Sequence, residues 1–172
     1  SKNRDCLYSP RMLDFFVIIG GEVMRIAIGS DHGGYPLKEL IKEHLENKGL
    51  EIKDFGTDSE ASCDYPEFAQ AVGEAVAAGE YDRGIVVCGT GVGISIAANK
   101  IPGIRCALVG DCFSAKATRQ HNDANVLALG ARVVGPGLAL EIVDIWLGTE
   151  FEGGRHQKRI EKINNIEKRY CK

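Results

Sequence analysis

From Met24 onward the chain repeats one unit five times: a short apolar run of strand length, then a stretch with helical spacing. The apolar runs fall at 25–29, 51–55, 84–88, 105–109 and 125–129, and the helical stretches at 36–47, 66–78, 94–100, 114–121 and 138–147. This alternation limits the fold more than any other feature. A strand, a helix and a second strand close as a right-handed crossover between parallel strands, with the helix lying on the sheet. Repetition gives a three-layer α/β/α, Rossmann-like fold with a five-stranded parallel sheet. The first helical stretch carries Leu37, Leu40, Ile41 and Leu45 on one face and Lys38, Glu39, Lys42, Glu43 and Glu46 elsewhere, and Lys48-Gly49 marks its end. Ligands of such sheets sit beyond the C-terminal strand ends. Asp31 and His32 follow the first run, Cys88 and Thr90 the third, and Asp111 the fourth.

The third strand-to-helix turn reads Cys88-Gly89-Thr90-Gly91-Val92-Gly93. It places a thiol beside bare backbone N–H groups and the positive end of a helix dipole, which suits an anionic ligand or intermediate. The same field favours the thiolate, the form that acts as base or nucleophile. A buried cysteine next to a tight turn is the plainer reading, and the crowding of glycines here argues against it.

Length and composition narrow the function classes. The 172 residues suffice for one domain, and 44% hydrophobic with 26% charged residues is ordinary for a globular protein. A net charge of −3 and 7% aromatic residues give no sign of a nucleic-acid surface. The six cysteines form no CxxC pair and read as reduced thiols of a cytosolic protein. The four histidines, His32, His44, His121 and His156, are scattered without zinc-ligand spacing, so no metal is expected. His44, amid charges, reads as a surface residue, Cys106 as core, and Cys63, Cys112 and Cys171 receive no role.

The folding unit is expected to span 24–172. Residues 1–23 read as an appendage, either an added remnant or the product of an upstream start. Its apolar run at 15–19 is too short to cross a membrane, and no signal-peptide pattern surrounds it. Near the other end, Gly153-Gly154 break the chain before a charged helix with a narrow stripe of Ile160, Ile163 and Ile166, suited to docking on a partner surface. Arg155 and Arg159 lie four apart, on one helical face, where two guanidiniums form a clamp for phosphate or carboxylate.

Four clusters stand in order: 29–34 around Asp31 and His32, the loop 88–95, Arg119-Gln120-His121-Asn122, and 153–159 with its two arginines; Asp64-Tyr65-Pro66 joins them. With these residues the chain resembles the ribose-5-phosphate isomerase B family, which includes galactose-6-phosphate and allose-6-phosphate isomerases, over Met24 to about Arg169. The resemblance implies reversible aldose–ketose isomerisation of ribose 5-phosphate without cofactor or metal. It also implies a cytoplasmic homodimer with shared active sites, or a tetramer built from it. Carried over by position, Cys88 matches the base that moves a proton between C1 and C2, Thr90 an assisting hydroxyl, and His121 the residue that opens the sugar ring. Asp31, His32, Tyr65, Asn122 and Arg132 match substrate contacts, as do the loop residues Gly89, Gly91, Val92, Gly93 and Ser95. Arg155 and Arg159 match the phosphate pair. Some family members carry a glutamate base further along the loop, where this chain has Gly93, Ile94 and Ser95.

The chemistry asks for the same residue types. A base must reach a weakly acidic C–H, the N–H groups of 89–93 are placed to stabilise an enediolate, and an imidazole serves ring opening. Three other readings compete: a hexose 6-phosphate isomerase, a non-catalytic sugar-phosphate sensor, and a dinucleotide-binding module. The last rests on Gly89-Thr90-Gly91 and Asp111, with Ile94 where the third glycine of that fingerprint belongs.

Overall fold

A computed structural model describes residues 18–19 and 22–171 of the chain. Two short strands, β1 (Ile18–Ile19) and β2 (Glu22–Val23), pair antiparallel ahead of the main unit. The rest of the segment read as an appendage lies outside the described residues. The main unit runs β3 (Arg25–Ser30), α1 (Tyr35–Glu46), β4 (Glu51–Asp54), α2 (Tyr65–Ala77), β5 (Arg83–Cys88), α3 (Val92–Ala98), β6 (Cys106–Leu108), α4 (Cys112–Asn122), β7 (Val126–Gly130), α5 (Pro136–Leu147) and α6 (Arg155–Tyr170). Its five strands are parallel, in the order β4-β3-β5-β7-β6, as the alternation requires.

Strand periodicity decides which face each side chain serves. Ile26, Ile28, Ile85, Val87, Leu127 and Leu129 share one core with Leu37, Ile41 and Leu45 of α1 and with Ile142, Val143 and Trp146 of α5. Ala27, Val86, Cys88, Val126 and Ala128 alternate with them and pack on Val72 and Val76 of α2 and on Ile94 and Ala98 of α3. Each fully buried Leu or Ile contributes about 1.5–3 kcal/mol, and both layers are filled this way. The α2–α3 face carries the smaller strand residues, so α2 comes close: a Cβ on Gly84 would lie 2.8 Å from Val72 Cγ1.

Helix starts differ from the sequence reading for local reasons. Asp111 accepts the Ser114 N–H at 2.7 Å, and this cap moves the start of α4 back to Cys112. Pro136 opens α5, where a missing N–H is harmless. Two polar residues also depart from expectation. Lys38, placed on the polar face of α1, is fully buried, its ammonium held by Asp54 at 2.7 Å and by the Thr57 carbonyl. His44 is not a free surface residue; its Nε2 lies 2.8 Å from Asp144 Oδ1 and ties α1 to α5.

Candidate active site

Cys88 closes β5 with its side chain on the α2–α3 face and is 4% exposed. The Gly91 N–H donates to its Sγ at 3.1 Å. Gly91 has φ +76°, and a Cβ there would lie 2.5 Å from Leu108 Cδ1 and 2.8 Å from the Leu129 carbonyl carbon, so this turn requires glycine. The Val92 N–H donates to Thr90 Oγ1 at 3.2 Å. Of the five N–H groups at 89–93 aimed at an anion, those of Gly91 and Val92 are therefore engaged inside the loop. Ser95 is buried, and its hydroxyl donates to the Val92 carbonyl at 2.7 Å, a common habit of serine within a helix.

Four other side chains gather at this loop. Asp31, buried at the end of β3, accepts the Gly34 N–H at 3.0 Å, so it caps the approach to α1 while lying beside the glycine loop. A Cβ on Gly33 would sit 3.4 Å from both Asp31 Oδ1 and the Gly89 nitrogen. His32 Nδ1 lies 3.2 Å from both the N and the O of Cys63, which anchors the ring to the 55–64 loop. The Tyr65 ring rests on Gly93, where a Cβ would lie 2.5 Å from Tyr65 Cζ. Arg132 follows β7; its N–H donates to the Gly89 carbonyl at 2.9 Å, and its side chain passes over Gly89. Asp31, His32, Tyr65, Cys88–Gly93 and Arg132 thus form one cluster at the C-terminal ends of β3, β5 and β7. The chain reverses direction across the sheet between β3 and β5, the usual ligand crevice of an open α/β sheet.

The remaining candidates gather elsewhere. Helix α4 leaves the C-terminal end of β6 and runs back, so His121 and Asn122 in its last turn stand at the N-terminal end of the sheet. There Arg105, just ahead of β6, donates from Nε to the Asn122 carbonyl at 3.0 Å. The Glu152 N–H donates to the Gln120 carbonyl at 3.1 Å and holds the start of α6 at the same end. Gly153 and Gly154, at φ +65° and +58°, turn the chain so that His156 stacks on His121 with ring centroids 4.5 Å apart. His156 is buried, and its pKa is pushed below the usual histidine value by that burial first, then by His121, Arg155 and Arg159, against a smaller opposing pull from Glu152. Arg155 and Arg159 are both exposed near the start of α6, whose first turn carries no acidic residue. Cations at a helix N-terminus oppose the dipole and cost about 0.3–1 kcal/mol each; an anion bound there reverses the sign.

A strand the length of β7 measures about 17 Å, so within one chain Cys88 and His121 do not meet. The sequence placed both in a site shared between subunits but did not say which chain supplies each. It also missed Glu152 and the contact of Cys63 with His32; the i,i+4 spacing of Glu152 and His156 was the available signal. Cys106, read as core, is half-buried, with its thiol pushed up to about 12 by burial. The dinucleotide reading loses its acid: β6 is separated from β5 by β7, and the Asp111 carboxylate caps α4.

Comparison with known proteins agrees with this architecture. The ribose/galactose isomerase family profile matches residues 26–163. Ribose-5-phosphate isomerase B of Escherichia coli is 57% identical over 145 residues, covering 84% of this chain and 97% of that protein. The solved structure of Clostridium thermocellum ribose-5-phosphate isomerase B is 60% identical with a TM-score of 0.85, over 86% of this chain and all of its own. The Mycoplasma genitalium ribose-5-phosphate isomerase B structure, solved with bound ribulose 5-phosphate, is 46% identical with a TM-score of 0.81, over 84% of this chain and 97% of its own. The chain, with its five-stranded parallel sheet and its glycine loop after β5, belongs to the ribose/galactose isomerase family.

Proposed function

We propose that the chain is an aldose–ketose isomerase that interconverts ribose 5-phosphate and ribulose 5-phosphate. It works in a homodimer whose two active sites each draw on both subunits. The observation that carries this reading is the division just described. The cluster around Cys88 holds a base and polar contacts but lacks an exposed pair of cations for a phosphate. The cluster around His121 holds imidazoles and two exposed arginines but no thiol. A two-fold assembly, the commonest for soluble proteins, brings the first cluster of one chain against the second cluster of the other.

In that shared site, Arg155 and Arg159 at the α6 N-terminus hold the dianionic phosphate. His121 passes a proton to the ring oxygen as the furanose opens. Cys88 then takes the C2 proton of the aldose and returns it to C1, with Thr90 assisting transfer between the oxygens. The enediolate charge falls beside the N–H groups of the glycine loop that are free of internal bonds. Asp31, His32, Tyr65, Asn122 and Arg132 hold the sugar hydroxyls. The similarity to proteins named for ribose 5-phosphate, one of them solved with the product ketose, supports this substrate class.

Among the described residues no helix is long and apolar enough to cross a membrane. The deciding experiment compares kcat/KM on ribose 5-phosphate, allose 6-phosphate and galactose 6-phosphate. Preference for ribose 5-phosphate, together with loss of nearly all turnover in Cys88→Ala, is expected. Preference for a hexose phosphate overturns the substrate, and normal turnover in Cys88→Ala overturns the base. His121→Asn should lose activity on cyclic ribose 5-phosphate and keep it on an aldose phosphate too short to close a ring.

A further inference from the structure

The histidines that look scattered in the sequence converge with a carboxylate in the fold. The ligating atoms of His121, Glu152 and His156 all lie within 4.8 Å of one another, and Glu152 Oε2 is 3.6 Å from His156 Nε2. We propose that these three residues hold a divalent transition-metal ion of the zinc class, through two imidazole nitrogens and one carboxylate oxygen.

Two histidines and a glutamate are a recurrent three-ligand zinc set that leaves the fourth position open. Bonds of about 2.1 Å in tetrahedral geometry separate ligand atoms by roughly 3.4 Å, so the Glu152–His156 distance already matches. The remaining closure falls on residues with room to move. Glu152 has half its side chain in solvent, and His121 is half-buried in the last turn of α4. The stacked rings, inclined by 17°, must tilt further for both lone pairs to meet one ion. The backbone keeps all three together: the Glu152 N–H bonds the Gln120 carbonyl at 3.1 Å, and the His156 N–H bonds the Gly153 carbonyl at 3.1 Å.

Imidazole-rich sets select zinc, cobalt, nickel or copper over magnesium and calcium. Arg155 and Arg159 flank the set with two positive charges against the single carboxylate, so binding is reversible and not a condition of folding. The consequence for catalysis rests on the function proposed above: an ion on His121 occupies the lone pair that ring opening uses, and so inhibits turnover of cyclic ribose 5-phosphate.

The test uses the chelator-treated full-length protein. Calorimetric titration with Zn2+ should give one ion per chain, with no response to Mg2+. Titration with Co2+ should give visible ligand-field bands of a nitrogen–oxygen set, without the near-ultraviolet charge-transfer band of a thiolate. Glu152→Gln, a change at an exposed side chain that removes a direct ligand, should weaken Zn2+ by more than the about 10- to 100-fold that loss of an outer-shell partner costs, with circular dichroism confirming an intact fold. Absence of saturable binding, unchanged affinity in Glu152→Gln, or a thiolate band would each overturn the site. Inhibition by Zn2+ in the wild type, reversed by chelator and weakened in Glu152→Gln, is also expected. Stoichiometric binding without inhibition would leave the metal site standing and count instead against the ring-opening role of His121.

Discussion

Mixing two inactive variants tests the division of the site directly. Cys88 lies at the C-terminal end of β5, and His121 stands at the opposite end of the sheet, beyond a strand span of about 17 Å. If each site pairs the Cys88 cluster of one chain with the His121 cluster of its partner, a mixed dimer of Cys88→Ala and His121→Asn holds one site with both lesions and one with neither. Random exchange of equal amounts makes half the dimers mixed, and each has one of two sites intact, so activity should recover to about one quarter of wild type. The assay is ribulose 5-phosphate formation after subunit exchange, with the mixed dimer counted by native mass spectrometry on differently tagged chains. Arg155→Ala in place of His121→Asn should behave alike, because Arg155 belongs to the same cluster. Arg132→Ala should not rescue Cys88→Ala, because both lesions fall in one cluster. Activity no greater than the sum of the separate variants, in a proven mixed dimer, would refute the shared site.

The phosphate clamp predicts opposite signs for activity and stability. Arg155→Ala should lose roughly 30- to 1000-fold in kcat/KM on ribose 5-phosphate, or about 2–4 kcal/mol, while free ribose is hardly affected; its melting temperature should hold or rise, since the cation opposes the α6 dipole. Gly91→Ala forces a side chain into the left-handed region at about 1–2 kcal/mol and against Leu108 and the Leu129 backbone; a lowered melting temperature and lost turnover are expected, and wild-type turnover would contradict the loop geometry. For Asp54, burial pushes the carboxyl upward, but Lys38, Lys42 and the Gly56 N–H together outweigh it and hold it below its ordinary value. Its stabilising effect is therefore present above pH ~4 and fades as pH falls through the depressed folded value. Asp54→Asn, which leaves the buried Lys38 ammonium with only the exposed Glu39 carboxylate at 3.4 Å, should cost up to about 3–5 kcal/mol in urea unfolding at pH 7, with a smaller gap at pH 3. Ile166→Asp, at a residue 61% exposed on α6, should shift sedimentation from dimer to monomer and abolish turnover while leaving the circular dichroism of the fold intact; a fully active monomer would reject the shared site.

The layers were legible because each strand and helix signals itself within a few residues. Leu37, Leu40, Ile41 and Leu45 show a helical face, and the alternation of Ile85 and Val87 with Val86 and Cys88 shows a strand between two layers. What escaped depends on partners distant in sequence. Lys38 looked solvated because Asp54, sixteen residues on, meets it only once β4 lies beside β3. His44 looked free because Asp144 is a hundred residues away. The residues of the candidate site were visible as motifs, since glycine loops and paired arginines declare their chemistry locally. Their division between two ends of the sheet was not. It follows from direction: a helix joining parallel strands returns to the N-terminal edge, so His121, in the last turn of α4, lies away from any strand's C-terminal end.

That same rule is why the proposed site calls on a second chain. In an α/β sheet, helix N-termini that follow strands gather at the C-terminal edge, ready for anions. Here α3 holds that position beside Cys88, yet it has seven residues, and the N–H groups of Gly91 and Val92 are engaged within its loop. The basic N-terminus belongs instead to α6, which follows a helix rather than a strand and so starts at the opposite edge. Helix α6 is also poorly covered within its own chain. Ile160 is buried, but Ile163 and Ile166 are 45% and 61% exposed, and with Ile104, Cys106 and Tyr170 they line a groove of about 480 Å³ beside the edge strand β6. One element thus carries both the cations that the Cys88 cluster lacks and an apolar stripe that its own subunit leaves open. In the dimer proposed above, a partner seated on that stripe would couple the pairing of subunits to assembly of the active site.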